Sequence, residues 1–148
     1  MRIEGTYTVG APRPIVWQLL NDPEALARTI PGCETLVPAG FNRYKATIRA
    51  GVGAIKGTYS GTVTIQEANP PASYTLEIDC KGSTGFVRGR GAISLSEQGA
   101  DTQITVDSDG QAGGPIATVG QRLIGAAAKM MLADFFRRLN EEAIRRRG

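Results

Sequence analysis

Gly113-Gly114-Pro115, followed by Ile116 to Arg147 without another proline, is the stretch that decides the fold of this chain. A proline at the first helical position forfeits no needed N–H and presets φ for the helix, so the stretch predicts one long helix. Its 32 residues, at ~1.5 Å each, make a rod of roughly 48 Å, far beyond the usual ~11–12 residues. Everything before it reads as short alternating strands. A long helix after a run of antiparallel strands hides its apolar stripe only by lying across the sheet.

Working back from the helix, the first strand spans Arg2 to Val9, with Ile3, Gly5, Tyr7 and Val9 alternating against polar neighbours. Ala11-Pro12-Arg13-Pro14 breaks it. Ile15, Val16, Leu19 and Leu20 around Trp17 have the spacing of a short helix, and Asp22-Pro23 starts a second, Glu24 to Arg28, that Pro31-Gly32 ends. Strands are then predicted near 34–38, 42–51, 55–68, 72–81, 85–97 and 101–112. The separators carry turn chemistry, among them Pro38-Ala39-Gly40, Gly51-Val52-Gly53, Asn69-Pro70-Pro71 and Gly82-Ser83-Thr84. Short connections make neighbours antiparallel. No repeat or linker interrupts the chain, so residues 1–148 are expected to form one α+β domain of order β-α-α-β₆-α.

The alternation assigns faces. Tyr44, Ala46, Ile48 and Ala50 share one parity with Gly57, Tyr59, Gly61, Val63 and Ile65, with Tyr74, Leu76, Ile78 and Cys80, and with Val87, Gly89, Gly91, Ile93 and Leu95. The opposite parity is almost wholly Arg, Lys, Thr, Ser, Asp and Glu, as expected of a sheet with one wet face. Many inward positions are small: Ala46, Ala50, Gly57, Gly61, Gly89 and Gly91, and on the helix Ala117, Gly120, Gly125 and Ala126 to Ala128. Protein cores normally fill to a density of about 0.74. Either the helix lies very close to the sheet, or a hollow remains beneath it. Strand glycines also serve coiling and bulges, so glycine alone does not separate the two. Tyr7, Tyr44, Tyr59 and Tyr74 share the inward parity and would give a hollow flat walls and a few hydroxyls, a mix suited to an apolar molecule.

The helix carries two adjacent apolar rows, Ile116, Val119, Leu123, Ala127, Met130 and Met131 in one, Ile124, Leu132, Phe135, Phe136 and Leu139 in the other. Candidate ligand-binding residues are therefore Tyr7, Tyr44, Ile48, Tyr59, Gly61, Tyr74, Leu76, Gly89 and Gly91 on the sheet. On the helix they are Ile116, Gly120, Leu123, Ala127 and Met131. The consecutive Phe135 and Phe136 point about 100° apart, one inward and one toward the rim.

Composition excludes several classes. There is no histidine, which removes Ser-His and Cys-His nucleophile pairs and the usual zinc ligand sets. No catalytic or metal residue is assigned and no cofactor is expected. Cys33 and Cys80 stand far apart without metal-type spacing and read as free thiols. No 18-residue apolar run predicts a transmembrane span, and Met1-Arg2-Ile3-Glu4 runs directly into a strand rather than a signal peptide. A cytoplasmic location is expected. The net charge of +3 comes from residues 137–148, where five arginines face two glutamates. Basic residues spread over a face among aromatics, the mark of a nucleic-acid binder, are missing. That end reads either as a solvated helix terminus favourable to the helix dipole or as a contact for anionic lipid or an acidic partner.

Three segments carry a resemblance: Ala11-Pro-Arg-Pro-Ile-Val-Trp17 with Asp22-Pro23-Glu24-Ala25-Leu26, the loop Ile30-Pro31-Gly32-Cys33-Glu34, and Gly114-Pro-Ile-Ala-Thr-Val-Gly120. With the element order they resemble the CoxG family of carbon monoxide dehydrogenase subunits, within the SRPBCC/START-like superfamily. The resemblance implies a helix-grip (START/Bet v 1-like) fold, a curved antiparallel sheet of about seven strands wrapped around the C-terminal helix. It also implies an accessory role beside a molybdenum hydroxylase of the carbon monoxide dehydrogenase type, at the inner face of the cell membrane. The Ile-Pro-Gly-Cys loop can stop a helix, or guard the mouth of a pocket.

The leading expectation is a non-catalytic protein that holds a hydrophobic small molecule, a lipid or quinone, between sheet and helix. The alternative is a tether with a filled core that acts through Arg145, Arg146 and Arg147. A cyclase- or hydrolase-type enzyme is disfavoured, because general acid–base work needs titratable groups in the pocket and Glu77, Asp79, Asp107 and Asp109 have outward parity.

Overall fold

The computed structural model describes residues 1–52 and 55–148. β1 (Arg2–Val9) leads into α1 (Arg13–Leu20) and α2 (Pro23–Thr29), then β2 (Cys33–Pro38), β3 (Arg43–Val52), β4 (Ile55–Asn69), β5 (Ser73–Gly82), β6 (Gly85–Gln98) and β7 (Asp101–Gly113). A 3₁₀ turn, Pro115–Val119, precedes α3 (Gln121–Arg147). The strands agree with the alternation to within a residue or so. Gly53 of the expected Gly51-Val52-Gly53 turn lies outside the described residues.

Local chemistry explains the short helices. Val16, Leu19 and Leu20 recur at helical spacing and are buried. Asp22 caps α2 by accepting the Glu24 N–H at 3.0 Å, and Pro23 occupies the first turn, where its missing N–H costs nothing.

The seven strands form one curved antiparallel sheet in the order β1-β7-β6-β5-β4-β3-β2. Cross-strand partners keep the predicted parity from β3 to β7: Tyr44 opposes Val63, Val63 opposes Ile78, Ile78 opposes Gly89 and Gly89 opposes Gly110. On the convex face the same registry aligns Glu77 with Arg90 and Asp79 with Arg88, opposite charges directly across a strand pair. Arg90 holds Glu67 at 2.8 Å and also Glu77.

The helix departs from expectation at its start. The chain does not run as one helix from Ile116. Gly120, at φ 98° and ψ 148°, closes the 3₁₀ turn and opens α3, a backbone setting that an L side chain rarely adopts. α3 is thus 27 residues long, about 40 Å. The break takes Ile116 and Val119 out of the α3 register, and within α3 the buried face itself corrects the expected apolar rows. Ile124, Ala127, Phe136, Leu139 and Ala143 are buried, while Val119, Leu123 and Met130 are exposed. Both Phe135 and Phe136 face the core, edge to face at 4.9 Å.

α3 runs in the same direction as β1 along its length: Gly125 lies near Met1, Phe136 stacks on Tyr7 at 4.3 Å, and the Asn140 side chain accepts the Gly10 N–H at 2.7 Å. On its other flank it approaches β3. The helix is a beam that bears on β1 and β3 and bridges the concave face between them.

Candidate ligand-binding hollow

Beneath that beam the core divides in two. One cluster gathers Val9, Leu19, Ile65, Tyr74, Ile93, Leu95, Ile104, Phe136 and Leu139 under the C-terminal half of α3, with α1 closing that end. The other gathers Ala50, Tyr59, Cys80, Ile116, Ile124 and Ala127 under the N-terminal half. Between them the concave face is a band of Gly61, Ile78, Gly89, Gly91, Ser108 and Gly110. Ile78 sits on β5, the central strand of the seven, on the face turned toward the helix, yet it is 37% exposed. In a filled two-layer core this would be among the most buried positions.

An open hollow of about 780 Å³ lies against this band, bordered by Ile78, Gly89, Gly110 and Ala112 from the sheet and by Ala117, Gln121 and Ile124 from the roof. Part of that volume lies beside the Arg88–Asp79 and Arg90–Glu77 pairs of the convex face, so the share roofed by α3 is smaller.

The glycines have different reasons to be there. A Cβ on Gly61 would collide with the Asp79 carbonyl oxygen and stand 2.6 Å from the Cys80 Cα, so Gly61 lets β4 and β5 pass unusually close. A Cβ on Gly89 would meet nothing nearer than the Asp109 carbonyl oxygen at 3.5 Å. There the missing side chain leaves space.

Most of the aromatic walls expected from sequence stand in the two clusters. Tyr7 stacks on Phe136, Tyr74 packs edge-on against Trp17 at 5.5 Å, and Tyr44 and Leu76 join the same cluster. Tyr59 is buried in the other, its hydroxyl paired with Thr84 Oγ1 at 2.8 Å, beside Ile116, Ala127 and the partly buried Met131. Ile48, Gly61 and Gly91 are half-buried on the concave face. Of the fourteen candidates, Gly89 borders the open hollow itself. Gly120 forms the helix break, and Leu123 faces away from the sheet at 56% exposure. Ile78, Ala117 and Ile124 carry the apolar or small pattern but are not among the fourteen, and Gly110, Ala112 and Gln121 also border the hollow. Gly110 and Ala112 continue the β7 alternation from Ile104 and Val106 through Ser108, so the same parity rule extended along the strand finds them.

On its roofed side the hollow, bordered by Ile78, Gly89, Gly110, Ala112, Ala117, Gln121 and Ile124, carries no titratable side chain, while Glu77, Asp79 and Asp109 border its open side. Burial pushes the Tyr74 hydroxyl well above its ordinary range and raises Tyr7. Cys80 is raised by burial and further by neighbouring Asp79. Glu77, Asp79 and Asp109 belong to the convex face with Arg90, Arg88 and the Met1 ammonium as partners. Among the described residues no group of three or more His, Cys, Asp or Glu is placed to hold a metal ion.

A curved seven-stranded sheet gripping a C-terminal helix, with a hollow between them, defines the START/Bet v 1-like class. The chain belongs to the CoxG family of carbon monoxide dehydrogenase subunits, whose sequence profile matches residues 5–144. A conserved protein from Geobacillus kaustophilus is 32% identical, with 98% of this chain and 96% of that one covered and a TM-score of 0.94. The fold is shared with a START superfamily protein from Mycobacterium smegmatis (TM-score 0.77, 14% identity, 97% of each chain). It is shared too with the Zhui aromatase/cyclase from Streptomyces sp. R1128 (TM-score 0.74, 17% identity, 99% of this chain and 94% of that one). No curated protein matches the chain by sequence.

Proposed function

We propose that this protein is a non-catalytic accessory protein that holds a hydrophobic small molecule, a lipid or quinone, in the hollow between the concave sheet and α3. In this role it assists the membrane association of a molybdenum hydroxylase of the carbon monoxide dehydrogenase type. The observation that carries the reading is the exposure of Ile78 at the centre of the face that a filled core would cover. Membership of the accessory-subunit family supports it. The carboxylates stand on the convex face, which favours binding over the cyclase chemistry named for one structural neighbour. No helix among the described residues is long and apolar enough to cross a membrane.

Native mass spectrometry of freshly purified protein, followed by titration with an apolar fluorescent probe, tests the reading. A co-purified adduct displaced by added quinone or lipid is the expected result. Protein that arrives without adduct and ignores probe, quinones and lipids would show the hollow to be idle. The filled-core tether acting through the C-terminal arginines has less support. Arg145 pairs with Glu142 at 3.1 Å, Arg146 with Asp22 at 3.7 Å, and Arg147 donates to the Gly10 carbonyl at 2.7 Å.

A further inference from the structure

We propose that the outward face of the N-terminal half of α3, Leu123, Ala126, Met130 and Ala133 with Arg122 and Lys129, is a docking surface for an anionic lipid bilayer. Spacings of three, four and three residues put the four apolar side chains in one stripe. All four are exposed, Leu123 at 56% and Met130 at 59%. Single exposed apolar residues need no explanation. An aligned stripe on the back of a helix whose other side is already packed on the core is a different matter, since the fold leaves it without an internal partner.

Charge selects the occupant. Arg122 and Lys129 lie seven residues apart on one edge of the stripe, and both are exposed. Neither has an ion-pair partner among the described residues, and no acid occurs between Gln121 and Ala133. The C-terminal half is the reverse. Arg137 holds Asp134 and Glu141, and Arg138 holds Asp134. Most of the arginines that looked like a basic patch are thus neutralised in place, whereas Arg122 and Lys129 stand unpaired beside the apolar stripe. A helix with unpaired cations along an exposed apolar strip lies in the plane of an anionic interface, where each basic side chain adds attraction. An acidic protein groove would also meet the cations, but the stripe is shallow, with two alanines in four positions, which suits a deformable surface.

The surface adjoins the hollow. Gln121 and Ile124, which border it, are within one turn of Leu123, so docking brings the rim of the hollow to the lipid. The functional sense of this contact rests on the proposed apolar ligand, which would exchange with the bilayer at that rim.

Flotation with phosphatidylcholine vesicles, with and without phosphatidylglycerol, tests the surface. The wild-type chain is expected to float with the anionic vesicles at low salt and to lose them as salt rises. The double variants L123E/M130E and R122E/K129E should each lower the bound fraction at least about tenfold. R145Q/R146Q/R147Q should bind like wild type. The four substituted positions of the first two variants are solvent-exposed, and thermal melts check that the fold is kept. Undiminished flotation of L123E/M130E, or no flotation of the wild type, overturns the proposal. So does size-exclusion chromatography showing that L123E/M130E splits a dimer, which would make the stripe an interface between copies. Uptake of the apolar probe without vesicles is measured in parallel. Uptake without vesicle binding defeats the docking surface alone, whereas vesicle binding that the variants abolish, without uptake, upholds the surface and defeats the hollow.

Discussion

At the scale of residues, alternation was enough to place Gly61 and Gly89 on the same face, and it could say no more. What separates them is a cross-strand distance. Gly61→Ala drives a methyl group into the β5 backbone and is expected to cost about 2–4 kcal/mol, measured by urea unfolding. Gly89→Ala enters open space and should change stability by less than about 1 kcal/mol. Ile78→Trp fills the band between the clusters: probe uptake should fall sharply while the unfolding midpoint holds or rises. If that variant binds the probe as before, the hollow lies elsewhere. The tyrosines illustrate the same limit. Their parity was legible, but whether a ring lines a space or fills it depends on the partner ring opposite, and Phe136 and Trp17 already occupy Tyr7 and Tyr74.

At the scale of elements, strands were read well because a period of two is local and the turns between them carry their own chemistry. The helix was read less well because a glycine at positive φ leaves no mark on hydrophobic spacing. Only the geometry shows that Val119-Gly120-Gln121 is a joint. A Cβ at Gly120 meets nothing within 4 Å, so Gly120→Ala isolates the conformational cost, expected at about 1–3 kcal/mol in denaturant titrations. The far end of α3 is anchored by Glu142, whose carboxyl is held below its ordinary 4.5 by the hydrogen bond from Arg28, with Arg145 adding to it. The folded carboxyl gives up its proton at lower pH than the unfolded one, so the contribution is complete above that range and drains away as pH falls through it. Glu142→Gln should lower the melting temperature at neutral pH and flatten its decline between about pH 5 and pH 3.

At the scale of the whole molecule, the order of elements was legible because a meander of short turns has few alternatives. The hollow was legible only as one of two options, since small side chains serve close packing and empty space alike. The deciding fact is that the beam bears on β1 and β3, on either side of the sheet's centre, while the central strand keeps Ile78 open. The pairing of β1 with β7 has a further consequence, in time rather than space. Arg2 faces Asp109 and Val9 faces Thr102, so the first strand has no partner until the seventh exists, and the α3 roof depends on that edge. Such closure pays its loop entropy before any contact rewards it. The six-stranded meander from β2 to β7 is expected to assemble first, with β1 and α3 arriving together in a slower final step. Substitutions along β1 and the inner face of α3, such as Phe136→Ala, should therefore speed unfolding far more than they slow refolding. The last event in folding is then the placing of α3 over the concave face, so the hollow exists only once the two ends of the chain have met.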